Sequence, residues 1–210
     1  MDNKVDWDKI KSGREKAYRQ LSSQLNLPLV KGHRELLLKY LYDGAHLLDV
    51  GANDRSLKSY IDNKSSNNIF YFSCDVDTTH KHEYYSVDEC KGKYNVITVF
   101  EVIEHLQPGN VFALLNKCYE LLSPGGVILV STPNVHHPVR FWRDCTHITP
   151  FSYDELAGIL ITIGFDGCVA YRTKTNMGLR KKIVAYVCRP LISLLGIDYA
   201  TGIVVIGSKS

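Results

Sequence analysis

Glu101, Glu104 and His105 are spaced by three and four residues in Phe100-Glu101-Val102-Ile103-Glu104-His105-Leu106. One helical turn places side chains so spaced on a single face. Two carboxylates and an imidazole converging there could remove a proton from a substrate or hold a divalent cation. His147, in Arg143-Asp144-Cys145-Thr146-His147, is a fourth candidate. A plainer reading is a charged pair opening a solvated helix.

The elements that must position these residues can be read from periodicity. Val96 to Phe100 is short, β-branched and nearly free of polar residues, the pattern of a buried strand. Glu101 thus begins the segment beyond a strand's carboxyl end, where open α/β sheets place their ligands. Further strands are expected at His46–Val50, Ile69–Cys74, Val127–Val130, Cys168–Arg172 and Gly202–Gly207, with a brief one around Glu83–Ser86. Helical patterns lie at residues 1–27, Gly32–Tyr42, Ser56–Ile61, Val111–Leu122, Ser152–Ile163 and Leu179–Leu195. Ser123-Pro124-Gly125-Gly126 stops one helix, and Ser152 with Glu155 forms a capping box for another. Strand, helix, strand within about 30 residues is a right-handed βαβ crossover, and its repetition predicts a doubly wound, mostly parallel sheet.

Composition narrows the class. With 210 residues, 45% hydrophobic and 22% charged, the chain has the make-up of one ordinary globular domain. A net charge of +3 gives no nucleic-acid footprint. The six cysteines contain no Cys-x-x-Cys pair, which suggests neither a zinc knuckle nor a disulfide framework. The polar start suggests no signal peptide, and no apolar run reaches the roughly 20 residues that span a bilayer. The expectation is a cytoplasmic protein with reduced thiols.

Asp49-Val50-Gly51-Ala52-Asn53 sits where a strand hands over to a helix. Only Gly51 survives of a G-x-G-x-x-G fingerprint, so a dinucleotide pyrophosphate is poorly served. Asn53 tolerates left-handed angles and can make a turn that glycine would make. Asp75, ending the second strand, could accept hydrogen bonds from both hydroxyls of a ribose. Asp49 taken alone reads equally well as a turn-capping carboxylate.

Leu47-Leu48-Asp49-Val50-Gly51, Cys74-Asp75-Val76-Asp77, Phe100 to Leu106, Leu121 to Val127 and Ser131-Thr132-Pro133-Asn134 come in an order that resembles the class I S-adenosylmethionine-dependent methyltransferases. The resemblance covers roughly residues 45 to 170. It implies a Rossmann-like seven-stranded sheet of order 3-2-1-4-5-7-6 with the last strand antiparallel. It also implies a methyltransferase domain over 45–210 behind a helical cap over 1–44. Carried over, the cofactor contacts are Asp49, Gly51 and Asn53 toward the methionine end, Asp75 with Val76 at the ribose, and Phe100 near the sulfur. The adenine contact is expected around Tyr85–Val87. The first motif departs from the family pattern by lacking its second and third glycines.

The E-x-x-E-H motif with a distal histidine is similar to two O-methyltransferase families. One methylates the 2′-hydroxyl at the 3′ end of small RNAs, and the other methylates ring hydroxyls of ubiquinone precursors. In both, the quartet corresponding to Glu101, Glu104, His105 and His147 is associated with a divalent cation, here Mn, Zn, Fe or Mg. Three readings stay open: a metal site, a metal-free base (His105, His147 or Glu101), and a structural helix start. Phe141-Trp142-Arg143 and Tyr153 could wall an acceptor pocket or pack the long loop down, while His136-His137 reads as surface loop. Leu179 to Leu195 is basic and amphipathic and could be core, a dimer seam or a peripheral membrane contact. The expected activity is O-methylation of a sugar, glycolipid or small metabolite, with nucleic acid disfavoured. The alternatives are 2′-O-methylation of RNA ends and a non-catalytic cofactor-binding protein.

Overall fold

The computed structural model describes residues 7–21, 26–174, 184 and 186–210. Seven strands form one sheet: β1 (Leu29–Val30), β2 (His46–Val50), β3 (Phe70–Cys74), β4 (Tyr94–Phe100), β5 (Leu122–Pro133), β6 (Gly167–Thr173) and β7 (Gly202–Ser208). Their spatial order is β1-β6-β7-β5-β4-β2-β3. β7 runs antiparallel to both neighbours, and the other pairs are parallel. This is the expected seven-stranded, Rossmann-like α/β sheet with an antiparallel last strand.

Strand alternation sends successive side chains to opposite faces, and each face carries its own core. Leu48, Ile97, Ile128 and Val130 pack on one side with Leu115, Leu156 and Leu160. Those helical residues belong to α4 (Pro108–Leu121) and α5 (Tyr153–Ile163). Leu47, Val96, Leu129 and Val204 pack on the other with Leu36 and Leu37 of α2 (His33–Leu37) and Leu57 and Ile61 of α3 (Ser56–Lys64). Ser152 caps α5 by accepting the Glu155 N–H at 3.4 Å. α4 begins three residues before the expected start because Pro108 suits a first helical turn.

The leading helix, α1 (Trp7–Gln20), lies across α5 at very short range. A Cβ on Gly13 would meet the Gly158 carbonyl oxygen at 2.4 Å, and one on Gly158 would meet the Arg14 nitrogen at 2.6 Å. Arg14 and Asp154 add an ion pair at 3.3 Å.

Two strand expectations need correction. Around Glu83–Ser86 there is a single parallel bridge, Cys74 with Tyr84, in place of a strand. The reason is local: the Glu83 carboxylate accepts from both the Ser73 N–H (2.8 Å) and the Ser73 hydroxyl (2.6 Å). A side chain therefore occupies a ladder position that backbone would otherwise fill. β1, which pairs with β6 at the opposite edge, supplies the seventh strand. β5 also begins earlier than expected, because Leu122 pairs with Tyr94 and Val127 with Val96, so Ser123–Gly126 bulge between the two registers.

Part of the expected helix Leu179–Leu195, residues 179–183 and 185, lies outside the described residues. Within it the structure describes α6 (Arg189–Leu194), and Val184, Val187, Leu191, Leu194 and Leu195 are exposed. No helix among the described residues is long and apolar enough to cross a membrane.

Candidate active site

The carboxyl ends of β2, β3 and β4 border a cavity of about 520 Å³ lined by Gly51, Asp75, Val76, Val87, Val102 and Leu106, among others. Gly51 is required there twice over. Its φ is +79°, and a Cβ would sit 2.2 Å from a Val102 methyl. Two more residues of the same loop, Asn53 (φ 41°) and Arg55 (φ 59°), are left-handed. Asn53 thus makes a turn of the kind expected of it, whereas the left-handed Arg55 was not foreseen.

Asp75 anchors this loop. One carboxylate oxygen accepts the Asn53 N–H at 2.7 Å and the other accepts the Asp77 N–H at 2.9 Å. Each oxygen keeps a lone pair for a further donor. Val76 is largely exposed and adds an apolar wall to the cavity. Val87 reaches the cavity from the segment expected to contact adenine.

Asp49 is placed differently. It is buried, and its carboxylate accepts from the Tyr71 hydroxyl (2.5 Å) and the Thr98 hydroxyl (2.8 Å). Burial raises its pKa, and these two hydrogen bonds offset part of that. Asp49 ties β2 to β3 and β4 and is not among the residues lining the cavity. Phe100 turns to the opposite side, where its ring lies 4.5 Å from that of His33.

Glu101 follows with φ 55°, a left-handed conformation that costs a non-glycine residue about 1–2 kcal/mol. This kink separates it from the turn that follows, a 3₁₀ turn over Ile103–His105. Of the three residues expected on one face, Glu104 and His105 belong to a cluster of close donor atoms that does not include Glu101, although the Glu101 charge still bears on Glu104. Glu101 accepts from the Ser131 hydroxyl at 2.8 Å and lines a second cavity, of about 240 Å³, with Lys31, His33, Arg140 and Lys174. Burial raises its pKa; the Ser131 bond and the Arg140, His147 and His105 charges act the other way.

Glu104 is fully buried, and neither carboxylate oxygen has a hydrogen bond. Burial foremost, then the Glu101 charge, pushes its pKa up to about 8. The Thr132 hydroxyl nearby also lacks a well-formed hydrogen bond and offsets only a little of this. The 144–149 loop docks on the same residue, since the Glu104 carbonyl accepts from Ile148 (2.7 Å) and Thr149 (3.1 Å).

That docking brings His147 to His105, with ring centroids 4.9 Å apart. One donor atom from each of Glu104, His105 and His147 lies within 4.8 Å of the others. The tautomers suit a ligand. His147 Nδ1 lies 2.7 Å from the Phe141 carbonyl, and His105 Nδ1 lies 3.2 Å from the Thr146 carbonyl and 3.0 Å from the Thr146 hydroxyl. In the neutral tautomers in which Nδ1 donates to these carbonyls, each Nε2 keeps its lone pair for a ligand. Asp144 Oδ2 stands 3.8 Å from His147 Nε2. An orphaned buried carboxylate beside two such imidazoles is a donor set that fits a divalent cation. Phe141 is buried in support of His147, while Trp142 is 72% exposed.

Lys31, His33, Arg140 and Lys174 were not singled out from the sequence. They come from three distant places in the chain (Lys31 with His33, Arg140, and Lys174), and no local spacing links the three.

The comparisons with known proteins agree with this fold. Residues 21–169 match the family model of a methyltransferase domain, and the chain belongs to that methyltransferase family. Its mostly parallel seven-stranded sheet with an antiparallel last strand is the class I, S-adenosylmethionine-dependent form. A Mycolicibacterium smegmatis protein described as a "Probable S-adenosylmethionine-dependent methyltransferase" is 40% identical over 79 residues. That stretch covers 34% of this chain and only 28% of the relative. Among solved structures, a SAM-dependent methyltransferase from Archaeoglobus fulgidus superposes with a TM-score of 0.63 at 19% identity, over 85% of this chain and 95% of that one. Haemonchus contortus phosphoethanolamine N-methyltransferase 2, solved with S-adenosyl-L-methionine, gives 0.57 at 14%, over 98% of this chain and 57% of that one.

Proposed function

We propose that the protein transfers the methyl group of S-adenosylmethionine to a hydroxyl of a sugar, glycolipid or small metabolite. The observation that carries this reading is the Glu101–Val102 step. Val102 lines the 520 Å³ cavity that also holds Gly51 and Asp75, and Glu101 lines the neighbouring one. Consecutive residues thus line a nucleoside-sized pocket and a polar cleft, which puts a cofactor site and an acceptor site next to each other along the chain.

In the reaction the acceptor oxygen forms a bond to the methyl carbon as the carbon–sulfur bond breaks. The cofactor leaves as S-adenosylhomocysteine, and the hydroxyl proton passes to Glu101. Ser131 fixes Glu101 Oε1 and leaves Oε2 for that proton, and the raised pKa makes the carboxylate a stronger base. Asp75 holds the ribose, and Gly51 with Val76 shapes the cofactor cavity. Asp49, sealed between Tyr71 and Thr98, acts on the cofactor by holding the Gly51 turn in place, and Phe100 by backing His33. Glu104, His105 and His147 would hold a divalent cation, which when bound lowers the pKa of a neighbouring hydroxyl.

The test is methyl transfer to sugars, diols, catechols and RNA ends, with and without added Mn²⁺, alongside thermal shifts with S-adenosylhomocysteine. Cofactor binding with hydroxyl methylation supports the reading. Binding without turnover on any acceptor favours a non-catalytic protein, and turnover only on RNA ends favours the 2′-O-methyltransferase alternative.

A further inference from the structure

The cleft on the Glu101 side has a charge pattern that methyl transfer alone does not explain. Its lining includes three cationic side chains, Lys31, Arg140 and Lys174, brought together from the β1–α2 junction, the loop after β5 and the end of β6. The backbone gathers them: Lys174 N–H donates to the Val30 carbonyl at 2.7 Å, which fixes the end of β6 beside Lys31. Arg140 is held by its N–H to His137 Nδ1 at 3.1 Å, and its charge bears on Glu101.

Among the described residues, little in the cleft neutralises these cations. Lys31 meets Glu35 at 3.5 Å, but both side chains are well exposed, so that pair is weak. Glu101 is the carboxylate in the lining, and one of its oxygens is already engaged by the Ser131 hydroxyl at 2.8 Å. His33 adds no charge, since burial foremost and then Arg34 lower its pKa to about 4. Its ring rests on Phe100 and has no hydrogen bond among the described residues, so it offers a neutral polar edge to an occupant. A third cavity, of about 410 Å³, shares Lys31, Gly32 and His33 with this cleft and adds Arg34, Glu35 and Tyr60. Between them the two cavities have room for more than one small functional group.

We propose that this cleft binds an anionic group of the acceptor, a phosphate or a carboxylate, held by Lys31, Arg140 and Lys174 while the acceptor hydroxyl faces Glu101. The substrate class is therefore a phosphorylated or carboxylated alcohol rather than a neutral sugar or catechol. Guanidinium and ammonium groups match such oxyanions through charge-assisted hydrogen bonds. The inference rests on the methyltransferase reading for the role of Glu101, but the anion site stands on its own geometry.

The test uses the full chain with inorganic phosphate and acetate as probes, at ionic strength held constant with KCl, read by thermal shift and calorimetry. The wild type is compared with Arg140→Gln, Lys174→Gln and the double variant, and affinity for S-adenosylhomocysteine is measured on each. The expected result is saturable binding of one or both anions, weakened by about tenfold in each single variant and further in the double. Cofactor affinity should change less than twofold. The preference between the probes tells a phosphorylated from a carboxylated acceptor. No saturable binding of either anion, or equal binding by wild type and double variant, overturns the proposal. Anion binding that follows this pattern in a protein that does not bind S-adenosylhomocysteine keeps the anion site and removes the methyltransferase reading instead.

Discussion

Replacing Glu104 by glutamine removes a buried charge while nearly preserving shape, and its effect should depend steeply on pH. In the folded protein this carboxyl ionises near pH 8, against an ordinary value of 4.5. A group whose folded pKa is raised adds stability below its unfolded pKa and loses it as pH rises through the folded value. Between pH 4.5 and 8 the wild type should therefore lose about 1.4 kcal/mol per pH unit from Glu104 alone, with an upper bound of about 5 kcal/mol over the window. Glutamine does not titrate, though its amide carries one more N–H donor without a partner than the neutral, equally unpaired carboxyl, at a cost of about 1–3 kcal/mol. The variant should thus be the less stable protein at pH 5 and equal or exceed the wild type at pH 9. Urea unfolding of both proteins at pH 5, 7 and 9, with a chelator present, reads this crossover. Adding Mn²⁺ at pH 9 should reverse it, because a cation on Glu104, His105 and His147 stabilises only the wild type. A difference between the two proteins that stays constant across pH would refute the account of Glu104 as an ionisable group without a partner.

Asp75→Ala should weaken S-adenosylhomocysteine binding by about 1.5–3 kcal/mol, the worth of charge-assisted hydrogen bonds; unchanged calorimetric affinity would remove Asp75 from the ribose. Gly51→Ala should destabilise the fold by about 1–2 kcal/mol through its left-handed backbone alone, and by more through the contact with Val102. Adding Val102→Ala should recover the contact portion and not the backbone portion, which chemical denaturation of the three proteins can separate. If the apolar face that includes Leu191 and Leu194 meets a membrane, anionic vesicles should sediment the protein in a salt-sensitive way. No sedimentation at low salt would leave the other uses of that face.

The sheet was legible in the sequence because its signals are local. Short β-branched runs such as Val96–Phe100, breaker clusters such as Ser123–Gly126 and a cap at Ser152 each declare an element within a few residues. The family motifs are local too, so the class of protein could be read before any packing was known. Asp75 and Gly51 stand at a cavity for the same reason, since each ends or follows a strand. What the sequence could not decide lies wherever two distant segments compete for one side chain. Glu83 displaced a strand by bonding Ser73, and Asp49 turned to Tyr71 and Thr98. The left-handed kink at Glu101 is a backbone choice allowed to few residues, and it split a spacing that a helical turn would have kept together. His147 reached His105 only because its loop docks on the Glu104 carbonyl. Lys31, Arg140 and Lys174 share a cleft only because β1 pairs with β6 and the loop after β5 closes over the same edge. Periodicity reports which face of an element is apolar; it carries no record of which remote group a buried polar side chain will meet.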